Sequence, residues 1–183
     1  MRAYYYILWS YQFSLFATNV LNPIYAFFVK KVGGGMLETS TSLATFSIVA
    51  GILTILISKA EWGHTYKREC LLLGWFIWLL GLVTYIFVNS VGMLFLAQVL
   101  GGIGTALSSP AFDAEFSEST AANLLGGWGE LEGLSSIITG LATIIGCCVV
   151  VTVGFNAMLY VMISVGILSF GCLAYYFYAK KTA

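Results

Sequence analysis

The sequence predicts an all-α integral membrane protein with six transmembrane helices, and three properties of the whole chain lead to this fold class. Of the 183 residues, 60% are hydrophobic and only 9% are charged, whereas soluble domains carry about 25% charged residues. The mean hydropathy is +0.92. The 8 basic and 8 acidic residues balance, so the chain has no basic field that could hold nucleic acid. These values exclude a soluble enzyme, a disordered protein and a nucleic-acid-binding protein.

Four long uncharged stretches set the number of spans. A transmembrane helix needs about 20 apolar residues, so the stretches 3–29 and 39–58 hold one helix each. The stretches 70–112 and 133–179 are about twice as long, and polar and glycine residues at 89–92 and 154–156 mark their reversals. We therefore predict a single six-helix bundle over residues 1–183. Its spans lie near 4–28, 40–58, 70–88, 92–113, 131–152 and 156–178.

The distribution of lysine and arginine predicts the orientation. With six spans, both termini lie on the same side of the membrane as the 2–3 and 4–5 loops, and this side holds six of the eight basic residues. The positive-inside rule then places the termini in the cytoplasm of a multi-pass protein of the cell (inner or plasma) membrane. The apolar start of the chain has no convincing cleavage site, so we expect it to remain as the first span.

The six spans differ in polarity. The third and sixth are almost entirely apolar, which is typical of helices that face lipid, while the first, fourth and fifth carry polar side chains. At 1.5 Å per residue, Asn19, Gln98 and Thr139 each fall near the centre of the membrane. Polar groups in one layer indicate either helix–helix contacts or a wet cavity. We predict a substrate cavity lined by Asn19, Asn22, Tyr25, Gln98, Ser136 and Thr139.

Other small and polar residues are better explained by packing. Gly101, Thr105 and Ser109 form a stripe of small side chains that lets helix backbones approach closely. Ser135 shares one helix face with Thr139, at the i, i+4 spacing. For these stripes we favour helix–helix contact over solute binding.

Catalysis has little support in the sequence. His64 is the only histidine and lies in a predicted cytoplasmic loop, where a solvated surface position is expected. No GxSxG or HExxH motif is present. The four cysteines (Cys70, Cys147, Cys148 and Cys172) lack metal-ligand spacing and are expected to pack as small apolar residues. We therefore expect that the protein is not an enzyme and that it binds no metal and no cofactor.

Charged residues gather at the predicted cytoplasmic ends of the spans. Asp113 ends the fourth span and Glu132 begins the fifth, while Lys67 and Arg68 lie in the 2–3 loop. One interpretation is a solvated charged rim, in which each ion pair contributes 0–1 kcal/mol. The other is a cytoplasmic gate formed by Asp113, Lys67, Arg68 and Glu132, in which Asp113 holds a basic partner in one state and releases it in another.

The sequence resembles the N-terminal six-helix half of the major facilitator superfamily. In the fourth span, residues 95–106 (FLAQVLGGIGTA) are similar to the family motif RxxQGxGxA, with Gln98 at the arginine position and both Gly102 and Gly104 matching. The 2–3 loop, residues 63–69 (GHTYKRE), occupies the place of the signature GxLaDRxGRR. Its basic pair and the following residues 71–74 match, while Gly63 stands at the aspartate position.

The resemblance implies a membrane transporter that moves a small solute by alternating access. In this family spans 1, 2, 4 and 5 of each half line the cavity or contact the other half, and spans 3 and 6 face lipid. Family members have twelve spans and six are predicted here, which implies a homodimer about a twofold axis along the membrane normal. Gln98 stands where the family motif has arginine, which argues against proton coupling of the family kind. The central layer holds no charged residue, which favours a neutral or zwitterionic solute.

Two other functions remain open from the sequence. A substrate-binding membrane subunit of a multi-component importer has a similar length and six helices. A non-transporting membrane scaffold or assembly protein would carry the same apolar spans. The oligomeric mass in mild detergent would distinguish a homodimer from a monomer or a complex with other chains.

Overall fold

The computed structural model describes residues 2–59 and 65–182, and within these ranges every regular element is a helix. The α-helices are α1 (Arg2–Leu21), α2 (Tyr25–Lys31), α3 (Met36–Lys59), α4 (Lys67–Phe87), α5 (Val91–Ser119), α6 (Leu124–Thr152) and α7 (Phe155–Thr182). A 3-10 turn, Asn22–Ile24, joins α1 to α2. The prediction of an all-helical fold is confirmed. His64, Gly63 and the other residues of 60–64 lie outside the described ranges.

Five of these helices, α3 to α7, are long and apolar enough to cross a membrane. They correspond to the second to sixth predicted spans, and a helix ends near each of the two predicted reversals. The chain leaves the helical conformation at residues 88–90 and 153–154. At the second reversal Gly154 has φ +106°, a left-handed conformation that glycine adopts without steric cost.

The first predicted span, 4–28, is not one continuous helix. It is divided at Asn22–Ile24 into α1 and the short α2, because Pro23 has no N–H to continue the α-helical hydrogen bonds. α1 is not among the five strongly apolar helices, since tyrosines, Gln12 and Asn19 lower its hydropathy. The count of six spans therefore remains a prediction.

The predicted 4–5 loop, residues 114–130, is shorter than expected. α5 continues to Ser119 and α6 begins at Leu124, which leaves residues 120–123 as the connection. The N-terminus of α6 is capped by Asn123, whose side-chain oxygen accepts a hydrogen bond of 3.0 Å from the backbone N–H of Gly126.

The chain forms two compact units, Met1–Pro23 with Asp113–Ala183, and Ile24–Phe112. In the first unit α1 packs against both α6 and α7. The Ser169 hydroxyl of α7 donates a hydrogen bond of 2.6 Å to the Ser10 carbonyl of α1. On the α6 side, a Cβ added to Gly146 would lie only 2.2 Å from the Val20 carbonyl oxygen. The absence of a side chain at Gly146 therefore lets the two helix backbones come together.

The second unit contains a close contact between α4 and α5. A Cβ added to Gly104 would lie 2.5 Å from the backbone nitrogen of Trp78, and one added to Gly74 would lie 2.7 Å from the Gly104 carbonyl oxygen. The predicted stripe began at Gly101 and continued through Thr105 and Ser109. The closest approach between α4 and α5 is instead at Gly104 and Ser108, one residue before Thr105 and Ser109 respectively.

Candidate solute-binding site

Three of the predicted cavity residues form one hydrogen-bonded line in the first unit. Asn22 donates through Nδ2 to Oδ1 of Asn19 at 3.1 Å. Asn19 in turn donates through Nδ2 to Leu15 O at 2.9 Å and to Thr139 Oγ1 of α6 at 3.4 Å. The line therefore connects the C-terminal end of α1 to the middle of α6 through two amides and a hydroxyl.

This line is open to a ligand at one end. Asn22 is exposed, whereas Asn19 and Thr139 are half-buried. Ser136 is also exposed, but its hydroxyl donates at 3.0 Å to Glu132 O within its own helix and does not join the line. The groups available here are uncharged amides and hydroxyls, which suit a solute that carries both hydrogen-bond donors and acceptors.

A second polar contact between α1 and α6 is closed. Gln12 is fully buried, and its Nε2 donates to Leu131 O at 3.1 Å and to Ser135 Oγ at 3.2 Å. Gln12 and Asn19 are seven residues apart on α1, while their partners Ser135 and Thr139 are four apart on α6. The serine–threonine face of the fifth predicted span thus contacts another helix, and the structure identifies that helix as α1, where Gln12 serves the contact.

Tyr25 and Gln98, the other two predicted cavity residues, lie in the second unit and bond to each other. Nε2 of Gln98 donates to Oη of Tyr25 at 2.6 Å, and the two hydroxyl oxygens of Tyr25 and Ser42 are 2.8 Å apart. The Ser42 hydroxyl donates to Thr39 O at 3.0 Å. Either hydroxyl can donate in the contact between Tyr25 and Ser42.

This chain of hydrogen bonds links α5, α2 and α3 and is closed to solvent. Tyr25, Ser42 and Gln98 are 4%, 0% and 6% exposed. In the described structure Tyr25 and Gln98 therefore bond to other residues of their unit and present no free surface to a solute. Ser42 was not singled out by the sequence, because it is one of four consecutive hydroxyl residues at 39–42.

The four predicted gate residues are divided between the units. Asp113 and Glu132 belong to the first unit and are exposed. Lys67 and Arg68 belong to the second unit and are the first two residues of α4. The gate stays a prediction.

Among the described acidic residues the most buried is Glu115, which is 2% exposed. Its Oε1 accepts a hydrogen bond of 2.6 Å from Tyr176 Oη and another from Lys180 Nζ, both on α7. Lys180 also lies 3.9 Å from the exposed Glu118. The sequence places Glu115 among the acidic residues at the ends of the fourth and fifth predicted spans, for which a solvated rim and a gate were both open. It does not predict that Glu115 is buried. The signal in the sequence was that Glu115 and Lys180 both follow the predicted ends of their spans, on the side predicted to be cytoplasmic.

The described cysteines are free thiols, of which Cys70 is buried and Cys147 and Cys148 are exposed on α6. In the part of the chain that the structure describes, no three histidine, cysteine or acidic side chains are grouped as metal ligands would be.

A sequence model of the Major Facilitator Superfamily matches residues 7–183, which span nearly all of α1 through α7. The chain belongs to this superfamily. Together with the five apolar helices, this membership identifies a multi-pass membrane protein and a transporter of the major facilitator kind. Searches of curated proteins and of solved structures each found no significant match.

Proposed function

We propose that this superfamily member moves a small neutral or zwitterionic solute across the cell membrane by alternating access, as a homodimer of six-span bundles. Family membership over residues 7–183 is the observation that carries the proposal. The line formed by Asn22, Asn19 and Thr139 supports the solute class, since it offers amide and hydroxyl groups without a charge. A charged solute would need an opposite charge in the membrane layer to offset its desolvation.

The proposed partner covers α3 and α6. Within the most apolar window of each helix, only 6% of α3 and 17% of α6 is buried, compared with 39% for α4 and α5 and 33% for α7. These two helices are the second and fifth predicted spans, which are among the four spans that line the cavity or contact the other half in this family. A second copy would cover both with a self-complementary surface, because a twofold contact uses the same patch on each subunit.

In the proposed cycle the two bundles rock about an axis along the membrane normal and expose the Asn19–Thr139 line to each side in turn. Both termini lie in the cytoplasm, where Asp113 pairs with Lys67 or Arg68 in one of the two states. An exposed pair can bias such an equilibrium only by its differential energy, on the order of 1 kcal/mol. The gate therefore tunes the balance between states and does not lock it.

Cross-linking between copies tests the assembly. In a variant cleared of native cysteines, Gly51→Cys on α3 combined with Gly140→Cys on α6 is expected to give a covalent dimer. Both positions have open space, with no atom within 4 Å of an added Cβ. The matched control is Leu73→Cys on α4 with Leu168→Cys on α7, which are 52% and 57% exposed and expected to face lipid.

Three outcomes of this experiment would contradict the homodimer. The first is a dimer formed only by the control pair, and the second is a monomeric mass in both mild detergent and lipid nanodiscs. The third is stable co-purification with a different chain, which would favour a subunit of a multi-component importer.

Labelling of single cysteines tests the six-span topology. We expect Thr65→Cys and Ala122→Cys to react only from the cytoplasm, and Met36→Cys, at a position that is 88% exposed, to react from outside. An N-terminal tag is expected on the same side as Thr65, because α1 and α2 together cross once. Impermeant maleimides on intact and permeabilised cells make the measurement. A tag on the Met36 side would refute the first span.

A further inference from the structure

A cavity at the connection between α2 and α3 has no place in the proposed transport cycle. Its volume is about 520 Å³, and its walls come from α2, the connecting turn and the first turns of α3. The lining residues are Ala26, Lys30, Gly34, Gly35, Met36, Thr39 and Ser40. The chain reverses here at Gly33, whose φ of +87° lies in the left-handed region.

Two hydrogen-bond donors in this lining are available to a ligand. Neither the Lys30 ammonium nor the Ser40 hydroxyl has an ion-pair or hydrogen-bond partner among the described residues, and both side chains are exposed. The nearby Glu38 carboxylate accepts a hydrogen bond of 2.7 Å from the Gly35 N–H. The Thr39 hydroxyl is occupied by Gly35 O at 2.8 Å. Lys30 is the one charged residue among those that line the cavity. The Glu38 carboxylate keeps its negative charge and is held at the Gly35 N–H.

Apolar side chains surround these donors. Ala26 and Met36 contribute apolar wall to the cavity. Three large apolar residues of the same segment are strongly exposed: Met36 by 88%, Leu37 by 71% and Phe27 by 69%. The segment joins the first two predicted spans, and this topology would place it at the level of the lipid headgroups, where exposed apolar residues contact acyl chains. A water-soluble anion could pair with the Lys30 ammonium, but it would leave this apolar surface exposed to water.

We propose that this cavity binds an anionic phospholipid of the leaflet opposite the termini. Lys30 and Ser40 contact the phosphodiester, and Ala26 and Met36 contact the upper part of an acyl chain. A lysine ammonium attracts phosphate as a point charge, and apolar walls next to it match the amphiphilic character of a lipid. This site rests on the predicted first span, which places the connection between α2 and α3 opposite the termini, and it does not depend on the transport proposal.

Native mass spectrometry of the delipidated protein, titrated with phosphatidylglycerol or phosphatidylcholine, tests the proposal. We expect phosphatidylglycerol to be retained more tightly by the wild type, and Lys30→Gln to weaken its binding roughly fivefold, the equivalent of about 1 kcal/mol per basic residue. The matched control is Lys31→Gln, which removes the same charge from the neighbouring residue outside the cavity lining and is expected to change binding less than twofold. Ser40→Leu, which fills the cavity and keeps Lys30, is expected to weaken binding as well.

Several results would overturn the site. Equal losses for Lys30→Gln and Lys31→Gln would indicate a diffuse surface charge. Equal retention of both lipids would indicate apolar contact alone. Competition by glycerol phosphate at the same concentration as the lipid would indicate a soluble phosphate ligand. Thermal unfolding of each variant, recorded in parallel, identifies any loss of binding that follows from misfolding.

Discussion

Replacing Gly146 with alanine is expected to destabilise the protein by about 3 kcal/mol, the upper end of the usual cost of overpacking. The new Cβ would lie 2.2 Å from the Val20 carbonyl oxygen, and this atom belongs to the α1 backbone and cannot rotate away. The helices would have to separate. Such a separation would also break the 3.4 Å contact between Asn19 and Thr139, because Asn19 is adjacent to Val20.

The same helix supplies a control for this prediction. Gly140→Ala adds an identical group to α6, where no atom lies within 4 Å of the new Cβ. Alanine favours the helix over glycine by up to about 1 kcal/mol, so Gly140→Ala is expected to leave stability unchanged or to raise it. Unfolding by increasing fractions of a denaturing detergent in mixed micelles measures both variants. Equal stabilities would show that α1 and α6 do not approach each other at this point.

The helices could be predicted because a membrane leaves the backbone few choices. In lipid, every backbone N–H and C=O has to be bonded within the segment, so the length of an apolar stretch fixes the helix that it forms. Gly154 and the residues at 88–90 ended their helices where the sequence indicated. The interruption at Asn22–Ile24 was missed. Pro23 is visible in the sequence, but a single proline does not reveal whether the helix bends or stops.

The polar contacts could be predicted only as far as depth determines them. Counting residues placed Asn19 and Thr139 in the same layer, and the structure joins them. Gln98 shared that layer but is bonded to Tyr25. Each helical residue turns the side chain by about 100°, so the partner of Gln98 depends on how each helix is rotated about its axis. The depth of a residue in the membrane does not determine how its helix is rotated.

Removal of the Glu115 carboxylate is expected to lower the free energy of unfolding by about 2–3 kcal/mol. Glu118→Gln is expected to lower it by less than about 0.5 kcal/mol. The two acids lie on the same helix and within reach of the same lysine, but Glu115 is 2% exposed and accepts bonds from both Tyr176 and Lys180. In Glu115→Ala the buried Tyr176 hydroxyl loses its acceptor. Breaking a fully buried pair costs about 3–5 kcal/mol, and the smaller value expected here reflects Lys180, whose side chain is 49% exposed and can turn to water.

The Glu118 side chain is 60% exposed and lies 3.9 Å from Lys180, a geometry in which an ion pair contributes 0–1 kcal/mol. A double-mutant cycle with Glu115→Gln and Lys180→Met, measured by detergent unfolding, separates the pair from the tyrosine bond. If Glu115→Ala proved as mild as Glu118→Gln, Glu115 would belong to a solvated rim with the other acids. If the large cost is found, Glu115 anchors the end of α7 to α5. The mobile acidic groups needed for a gate would then have to come from the exposed acids, of which Asp113 and Glu132 are the predicted ones.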